Sequence, residues 1–476
     1  MSNPSNLPIT KSDFLLYCEA PRHLWAAKNG KIEKVLSDFD QLLIDQGYEV
    51  ESLGRKYLVQ VVLPQDRDLT LSWQPTYSDG TFQARLDGLI CKSNSKTHDL
   101  YEIKSSTGVD KENLYDVAFQ ALILIQQIKV DHYYLLHLNK EYIFKNKLDL
   151  SKLFLAEDIT DKVNKLIPEI EIKRQLAVQA AQTVNPTDLQ HCYTPAQCPC
   201  MGVCHPNLPE FSIYDIPRLS QQKKQQLLDL GIISARDIPA SIDLNDKQWL
   251  VVERAKTNTE HIDRAALKTE LGKIQFPVYF LDYETCIFAI PLYEGYHPQQ
   301  QIVFQYSLHK LEKIDGALTH TDHISLGPCD PCLPLLEQLS GEIGSTGTII
   351  VWNKAFEMTM NREMALVQPQ YAAFLTQLND RIFDLGELVN RGYYLHPGFK
   401  GSWSIKNVLP VMKPELSYQD LAVNKGDQAS IIWWKLCYVN LEQEEKLRLT
   451  EALRRYCELD TFAMVELFKI FRDLIK

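Results

Sequence analysis

Residues 81–105 constrain the first half of the chain more than any other stretch. Thr81-Phe-Gln-Ala-Arg-Leu-Asp87-Gly-Leu-Ile-Cys-Lys92 reads as a strand, Ser93 to His98 as polar turn material, and Asp99-Leu-Tyr-Glu102-Ile-Lys104-Ser as the returning strand. Side chains alternate between the faces of a strand. A hairpin centred between Ser95 and Lys96 therefore sets Asp87 opposite Lys104 and puts Glu102 on the same face. Two such carboxylates chelate a hard divalent ion, which polarises a phosphodiester and lowers the pKa of its bound water; the lysine stabilises developing negative charge. The alternative is an exposed hairpin with scattered charges.

A chain of 476 residues, 45% apolar and 10% aromatic, has room for two or three domains with real cores and is not a disordered or collagen-like polymer. The start, Met1 to Asp13, is polar, and no apolar run approaches the ~18 residues that cross a bilayer, so a soluble, cytoplasmic protein without a membrane partner is expected. Fifty Lys plus Arg against 61 Asp plus Glu give a net charge of -11, and no basic run exceeds two residues. That disfavours a protein that coats polyanions, but not an enzyme that grips phosphates through a few placed cations and metal ions. Eleven cysteines without an export signal imply a reducing compartment, where clustered thiols bind metal more often than they pair.

Three segments differ in pattern. Residues 1–205 start helical, pass through β-like runs near 57–63, 81–92 and 99–105, return to helix and end in a knot of cysteines. Residues 206–272 read as a helical connector. Residues 273–476 open with the strand-like Phe276-Pro-Val-Tyr-Phe-Leu281 and close with a long helix through Ile475.

The last segment has its own carboxylates. Asp282 and Glu284 follow the apolar strand two residues apart and share a face. Asn353 and Glu357 lie four apart where a second strand-like run, Thr348-Ile-Ile-Val, turns into a helix, and Tyr456 and Asp460 lie four apart in the final helix. Arriving from strand, helix and helix, these groups could form a two-ion site.

Both acidic sets resemble known nuclease motifs. Asp87 with Glu102-Ile-Lys104 resembles the signature of PD-(D/E)xK nucleases of the RecB type, including CRISPR-associated members. Upstream, Gln46-Gly47-Tyr-Glu-Val50-Glu51 resembles that family's helical motif, with Glu51 in the metal-facing place. Downstream, Asp116-Val-Ala-Phe-Gln120 resembles its glutamine motif; the tyrosine usual four residues beyond Gln120 is Leu124 here. The order Asp282-x-Glu284, Asn353-x-x-Phe356-Glu357, Tyr456-x-x-x-Asp460 resembles RNase H-like DEDD 3′–5′ exonucleases of the subgroup with a tyrosine before the last aspartate. Glu357 stands where that family has aspartate, and Asp384 is the natural substitute with a secondary role. The resemblance implies that Asp87, Glu102, Asp282, Glu284, Glu357 and Asp460 bind Mg²⁺ or Mn²⁺, and that Tyr456 orients the attacking water.

RecB-type nucleases with an iron–sulfur cluster take one cysteine near the N-terminus and three just after the nuclease fold. Here the distal set is Cys192-x5-Cys198-x-Cys200-x3-Cys204, and the proximal candidate is Cys18. The family cysteine stands directly before a proline, a place held by Ala20, and two residues along a helix turn a side chain by roughly 200°. The resemblance implies Cys18, Cys192, Cys198 and Cys204 as ligands, with Cys200 as a substitute. A 4Fe–4S cluster, zinc and no metal all remain open. Cys329-Asp-Pro-Cys332 is an isolated pair and reads as a loop.

Three further stretches suit a nucleic-acid groove. Gln305, Ser307 and His309 share a face of a strand-like run, which an edge strand also explains. Lys400 and Lys406 flank the Gly/Ser loop Gly401-Ser402, apt for phosphate but also ordinary loop material. Gln225 to Pro239, turning at Gly231, resembles one helix–hairpin–helix unit, with packing helices as the alternative.

The fold class expected is α/β: a restriction-endonuclease-like core, a helical connector, and an RNase H-like mixed sheet flanked by helices. The resemblance implies a metal-dependent exodeoxyribonuclease with two sites, acting in DNA repair or defence against foreign DNA. DNA is favoured over RNA as partner, and an RNA exonuclease or a decayed binding scaffold are the alternatives.

Overall fold

The computed structural model describes residues 8–32, 36–418 and 421–476, so Met1 to Leu7 of the polar start lie outside the described residues. The fold is mixed α/β and divides into two compact units. The first comprises residues 1–207 with 288–300, and the second 208–287 with 301–476. This differs from the three-segment expectation in two places: the connector belongs to the second unit, and residues 288–300 belong to the first. Among the described residues no helix is long and apolar enough to cross a membrane.

The sheet of the first unit runs, in spatial order, β1 (Leu69–Trp73), β2 (Gly88–Lys92), β3 (Thr97–Lys104), β4 (Val130–Leu138) and β5 (Phe154–Asp158). Only β3 and β4 are parallel. A parallel pair needs a crossover, supplied here by a helix, Lys111–Leu124. That helix is buried almost all round because it lies between Leu100 and Leu135 of the sheet and two further helices, Lys11–Glu19 and Thr160–Gln182. Phe14 and Phe119 stack at 4.9 Å within this layer. The opposite face of the sheet packs Tyr101 and Ile103 against the helix Asp38–Tyr57 and the turn after it, through Val50 and Leu58. Gly54 is needed there: a Cβ would stand 2.8 Å from the Ile103 Cδ1. Ala289 and Ile290 are buried in the same cluster, with Leu136, Leu138 and Tyr142.

Three expectations for this unit are corrected. The β-like run near 57–63 is helical, Leu58–Val62 continuing the preceding helix as a π-turn, because burial of Leu58 overrides the β preference of its valines. Residues 81–92 are not one strand. Phe82–Arg85 pairs with Ile9–Thr10 and Thr76–Ser78 in a small separate sheet, and the chain enters the main sheet only at Gly88. Asp87 sits at that joint. The hairpin register also differs: Gly88 faces Tyr101 and Lys92 faces Thr97. Extended by one pair, that register sets Asp87 against Glu102 instead of Lys104. The displacement is even, so the acidic residues keep their common face.

The sheet of the second unit orders as β8 (Leu318–Ile324), β7 (Gln301–Leu311), β6 (Val278–Ile287), β9 (Thr348–Val351) and β10 (Ile382–Asp384). β6 to β8 form an antiparallel meander, while β9 and β10 run parallel to β6. Period-two alternation sorts β6: Tyr279, Leu281 and Tyr283 pack with residues of the helices Cys332–Glu342, Lys354–Val367 and Ala372–Asp380. Phe280 faces the other way, against Phe468 of the last helix, Gln443–Asp473, at 5.7 Å. The even-numbered Asp282 and Glu284 follow Phe280 on that side, and the register slips just after Glu284.

The stretch expected as a helical connector is part of the second unit. Its core, including Ile213, Leu227, Ile238 and Val252, packs with Leu395, and His261–Ile262 pairs with Tyr394–Leu395. Gly231 adopts the left-handed φ of +71° and ends the helix Gln221–Asp229. The next α-helix begins only at Asp246, beyond a short 3₁₀ turn at Ala235–Asp237. Cys332 is not loop either, but the buried first residue of a helix.

Candidate functional site

In the first unit, one face of β3 gathers a polar cluster. A Thr10–Asp13 capping box starts the helix Lys11–Glu19 and makes Lys11 its first residue. The Lys11 ammonium donates to Glu102 Oε1 at 2.7 Å, and Lys104 donates to the same oxygen at 2.8 Å. Lys104 also donates to Asp116 Oδ2 at 2.6 Å, and Gln120 Nε2 reaches both Glu102 Oε2 and Asp116 Oδ1 at 2.8 Å. Asp87 accepts the Ile103 N–H at 2.8 Å. Glu51 is tied in through Gln74, whose side-chain amide donates to it while its backbone N–H donates to the Asp87 carbonyl at 3.1 Å.

Two buried carboxylates, Glu102 and Asp116, and the half-buried Asp87 thus face two ammoniums, and they share that charge unequally. Burial opposes ionisation of Glu102, but Lys104 and Lys11 outweigh it and hold this carboxyl below its ordinary range. Burial, then the charge of Glu102, pushes Asp87 up to about 7 and raises Asp116. Glu102, Lys104 and Gln120 therefore share one side-chain network, Asp87 is coupled to it by the charge of Glu102, and Glu51 is linked to Asp87 through Gln74 and the backbone. Lys11 and Asp116 are members that sequence reasoning did not assign. Asp116 was visible, four residues before Gln120 and so on the same helix face.

In the second unit, Asp282 and Glu284 on β6 meet the last helix. One carboxylate oxygen of each and the Cys457 Sγ lie within 4.8 Å of one another. Asp460 acts electrostatically on both acids, and Glu357 on Asp282. Burial, reinforced by this mutual repulsion, raises Asp282 and Glu284 well above the carboxylate range. Asp460 is pushed up to about 6 by burial, against a 2.6 Å hydrogen bond that the Tyr418 hydroxyl donates to it. Glu357, in the first turn of Lys354–Val367, is 3% exposed and is pushed up to about 8 by burial and the charge of Asp384. Among the described residues its Oε2 has no hydrogen-bond partner. Asp384 accepts the N–H groups of Lys354 at 2.9 Å and Glu387 at 3.2 Å, which makes it a brace for the start of that helix.

The cation acting on Asp282, Glu284 and Asp460 is Lys406. It lies in the first turn of the helix Ile405–Met412 and donates to the Tyr456 hydroxyl at 2.7 Å and the Asn424 carbonyl at 3.0 Å. Burial and the surrounding carboxylates raise Tyr456, so its phenol keeps its proton. Lys406 is therefore part of this site and not of a phosphate loop. Lys400 pairs with Glu210 at 2.9 Å and lines a cavity of about 380 Å³ with Arg236 and His396. Gln305, Ser307 and His309 do not line a groove: all three are buried against the last helix, bonded to Leu453 O, Thr461 Oγ1 and Thr461 Oγ1.

The cysteines divide. Cys18 is set apart, lining a cavity with Leu15, Glu19, Lys111 and Tyr115, and burial pushes its thiol up to about 11. This corrects its place as the fourth ligand, for the reason its helical position gives. His23, five residues on in the helix Pro21–Lys28, brings its ring to Cys192, Cys198 and Cys204; one donor atom of each of the four lies within 4.8 Å of all the others. Cys200 lies beside this set, 3.7 Å from the Cys204 Sγ.

Residues 279–404 match the model of a domain of unknown function, DUF2779. The match includes Asp282, Glu284, Glu357 and Asp384 and ends before Lys406, Tyr456 and Asp460. An uncharacterised protein of Mycoplasma genitalium is 26% identical over 226 residues, 44% of this chain and 34% of its own length. Its homologue in Mycoplasma pneumoniae is 26% identical over 216 residues, 42% of this chain and 32% of its own. An uncharacterised protein of Ureaplasma parvum is 29% identical over 142 residues, 26% of this chain and 21% of its own. The chain thus spans about a third or less of the length of the curated relatives it matches.

Proposed function

We propose that the protein is a metal-dependent nuclease that hydrolyses phosphodiester bonds, with DNA as the favoured substrate. The observation that carries this is the charge imbalance in the second unit. Asp282 is half-buried and Glu284, Glu357 and Asp460 are buried; the charges of Asp460, Glu284 and Glu357 act on Asp282 and that of Asp460 on Glu284, while Lys406 is the opposing cation for Asp282, Glu284 and Asp460. Carboxylates perturbed by burial and by like charges gather at functional sites. The four carboxylates offer hard oxygens, which suits Mg²⁺ or Mn²⁺, Glu357 keeps one oxygen unengaged, and burial keeps the neighbouring Cys457 thiol neutral.

Divalent ions held by Asp282, Glu284, Glu357 and Asp460 would supply a water of lowered pKa and charge stabilisation for the reacting oxygens. The chain's own residues do the rest. Tyr418 holds Asp460 in place, and Lys406 fixes the Tyr456 hydroxyl beside the carboxylates, where that phenol can orient a water. In the first unit Asp87 and Glu102 are the metal-binding pair and Lys104 the charge stabiliser. Both oxygens of Glu102 are already engaged, however, which favours a second reading for this unit alone, as a site that grips nucleic acid without cutting it. The β-sheet with helices on both faces in the second unit, and the helix-covered sheet of the first, fit the RNase H-like and restriction-endonuclease-like readings.

End-labelled single- and double-stranded DNA and RNA of matched sequence, with and without Mn²⁺, test the proposal with Lys104→Ala and Asp282→Ala, alone and together. Digestion of DNA that needs Mn²⁺ and is lost in Asp282→Ala is expected. Retention of digestion by Lys104→Ala identifies the second reading for the first unit, preferred digestion of RNA identifies an RNA exonuclease, and no metal-dependent digestion removes the enzyme.

A further inference from the structure

We propose that the first unit carries a mononuclear zinc site whose ligands are Cys192, Cys198, Cys204 and His23, and not the four-cysteine iron–sulfur cluster that the motif resemblance implies. The first ground is size. Tetrahedral zinc, with Zn–S of about 2.3 Å and Zn–N of about 2.0 Å, sets its ligand atoms about 3.5–3.8 Å apart. A four-iron cubane interposes a whole cluster and spreads its sulfurs to about 6 Å. Here all four donor atoms fall within 4.8 Å of one another, and His23 Nε2 stands 3.6 Å from Cys198 Sγ.

The second ground is the histidine's orientation. Its Nδ1 lies 3.0 Å from Glu19 Oε2, so the ring donates Nδ1–H to that carboxylate and turns the Nε2 lone pair toward the thiols. A carboxylate behind an imidazole is the usual way a protein fixes a metal-binding tautomer and strengthens its donor. The ring is 2% exposed and the Cys192 and Cys204 side chains are buried.

A third ground is that the site is braced without metal. Arg22, next to His23, donates to the carbonyls of Leu189 (2.8 Å), Thr187 (3.2 Å), Cys204 (3.1 Å) and Val203 (3.3 Å). The guanidinium holds the two chain segments together and sits where it offsets the negative charge of three thiolates on one divalent ion. Cys200 is a bystander, because its sulfur neighbours Cys204 and Cys198 but falls outside the mutual set.

The test is metal analysis of the full chain, purified without oxygen, with Co²⁺ titrated into protein stripped by chelator. About one zinc per chain, no iron–sulfur colour, and a tetrahedral Co²⁺ spectrum are expected. Cys18→Ser and Cys200→Ser should keep that stoichiometry. His23→Ala should lower the affinity at least tenfold, and His23→Cys should restore binding with the spectrum moved to that of a four-thiolate site. About four irons per chain in a protein whose colour depends on Cys18 would overturn the proposal. So would absence of zinc together with failure to take up Co²⁺, or dependence of zinc on Cys200 with indifference to His23. None of these readouts requires digestion of nucleic acid, so they stand or fall apart from the nuclease reading.

Discussion

Lys11 and Lys104, 93 positions apart in sequence, place their ammonium groups on one oxygen, Glu102 Oε1, at 2.7 and 2.8 Å. A divalent ion that takes this carboxylate has to compete with both. Removing one positive charge a few ångströms away makes the site more negative, so Lys11→Met should tighten Mn²⁺ binding in the first unit by roughly tenfold or more. Calorimetric titration in an Asp282→Ala background, where the other site is impaired, measures it. Unchanged or weaker binding would show that the lysine does not compete.

Asp282→Asn and Asp460→Asn each remove a charge from the second unit's cluster. Each should lower metal-dependent digestion by about 100-fold or more, with a matching loss of bound Mn²⁺. Full activity in either variant would remove this cluster from catalysis.

Glu357 has a folded pKa of about 8 against an ordinary 4.5. Between those values the native state binds more protons than the unfolded chain, so the metal-free protein loses stability as pH rises from about 4.5 to about 8. Glu357→Gln lacks this slope. In EDTA, its stability relative to the parent should grow over that window by on the order of a few kcal/mol, and Mn²⁺ should narrow the gap. Parallel denaturation curves across pH would contradict the buried placement of this acid.

Tyr418 donates to Asp460 and lowers its pKa, which nevertheless stands at about 6 because of burial. Tyr418→Phe should therefore raise it further, by roughly one unit. The acid limb of the pH–rate profile should move upward by that amount, with little change in substrate binding. An unmoved limb would mean that Asp460 does not need to be ionised.

Period-two alternation was readable wherever one face of a strand is buried, which is why Asp282 with Glu284, and Glu102 with Lys104, share faces as expected. The hairpin register lies two residues from the one that the turn's centre predicts, an even offset to which that alternation is blind. Lys11 could not be foreseen, since nothing local marks a lysine whose partner lies 91 residues away. Gln305, Ser307 and His309 alternate like a solvent-facing strand, but the last helix covers them and bonds each one. His23 was hidden by the count of thiols: five cysteines near a motif leave little reason to look for an imidazole, and only the helix around Pro21 shows which side chain points inward.

Residues 288–300 join two strands of the second sheet but belong to the first unit, where Ala289 and Ile290 complete an apolar cluster. On a ribosome, the first unit must wait with that surface uncovered until the opening strand of the other sheet has already emerged. The two halves are thus bound by the order of their birth, and a gene split near codon 207 would yield an N-terminal product missing part of its own interior.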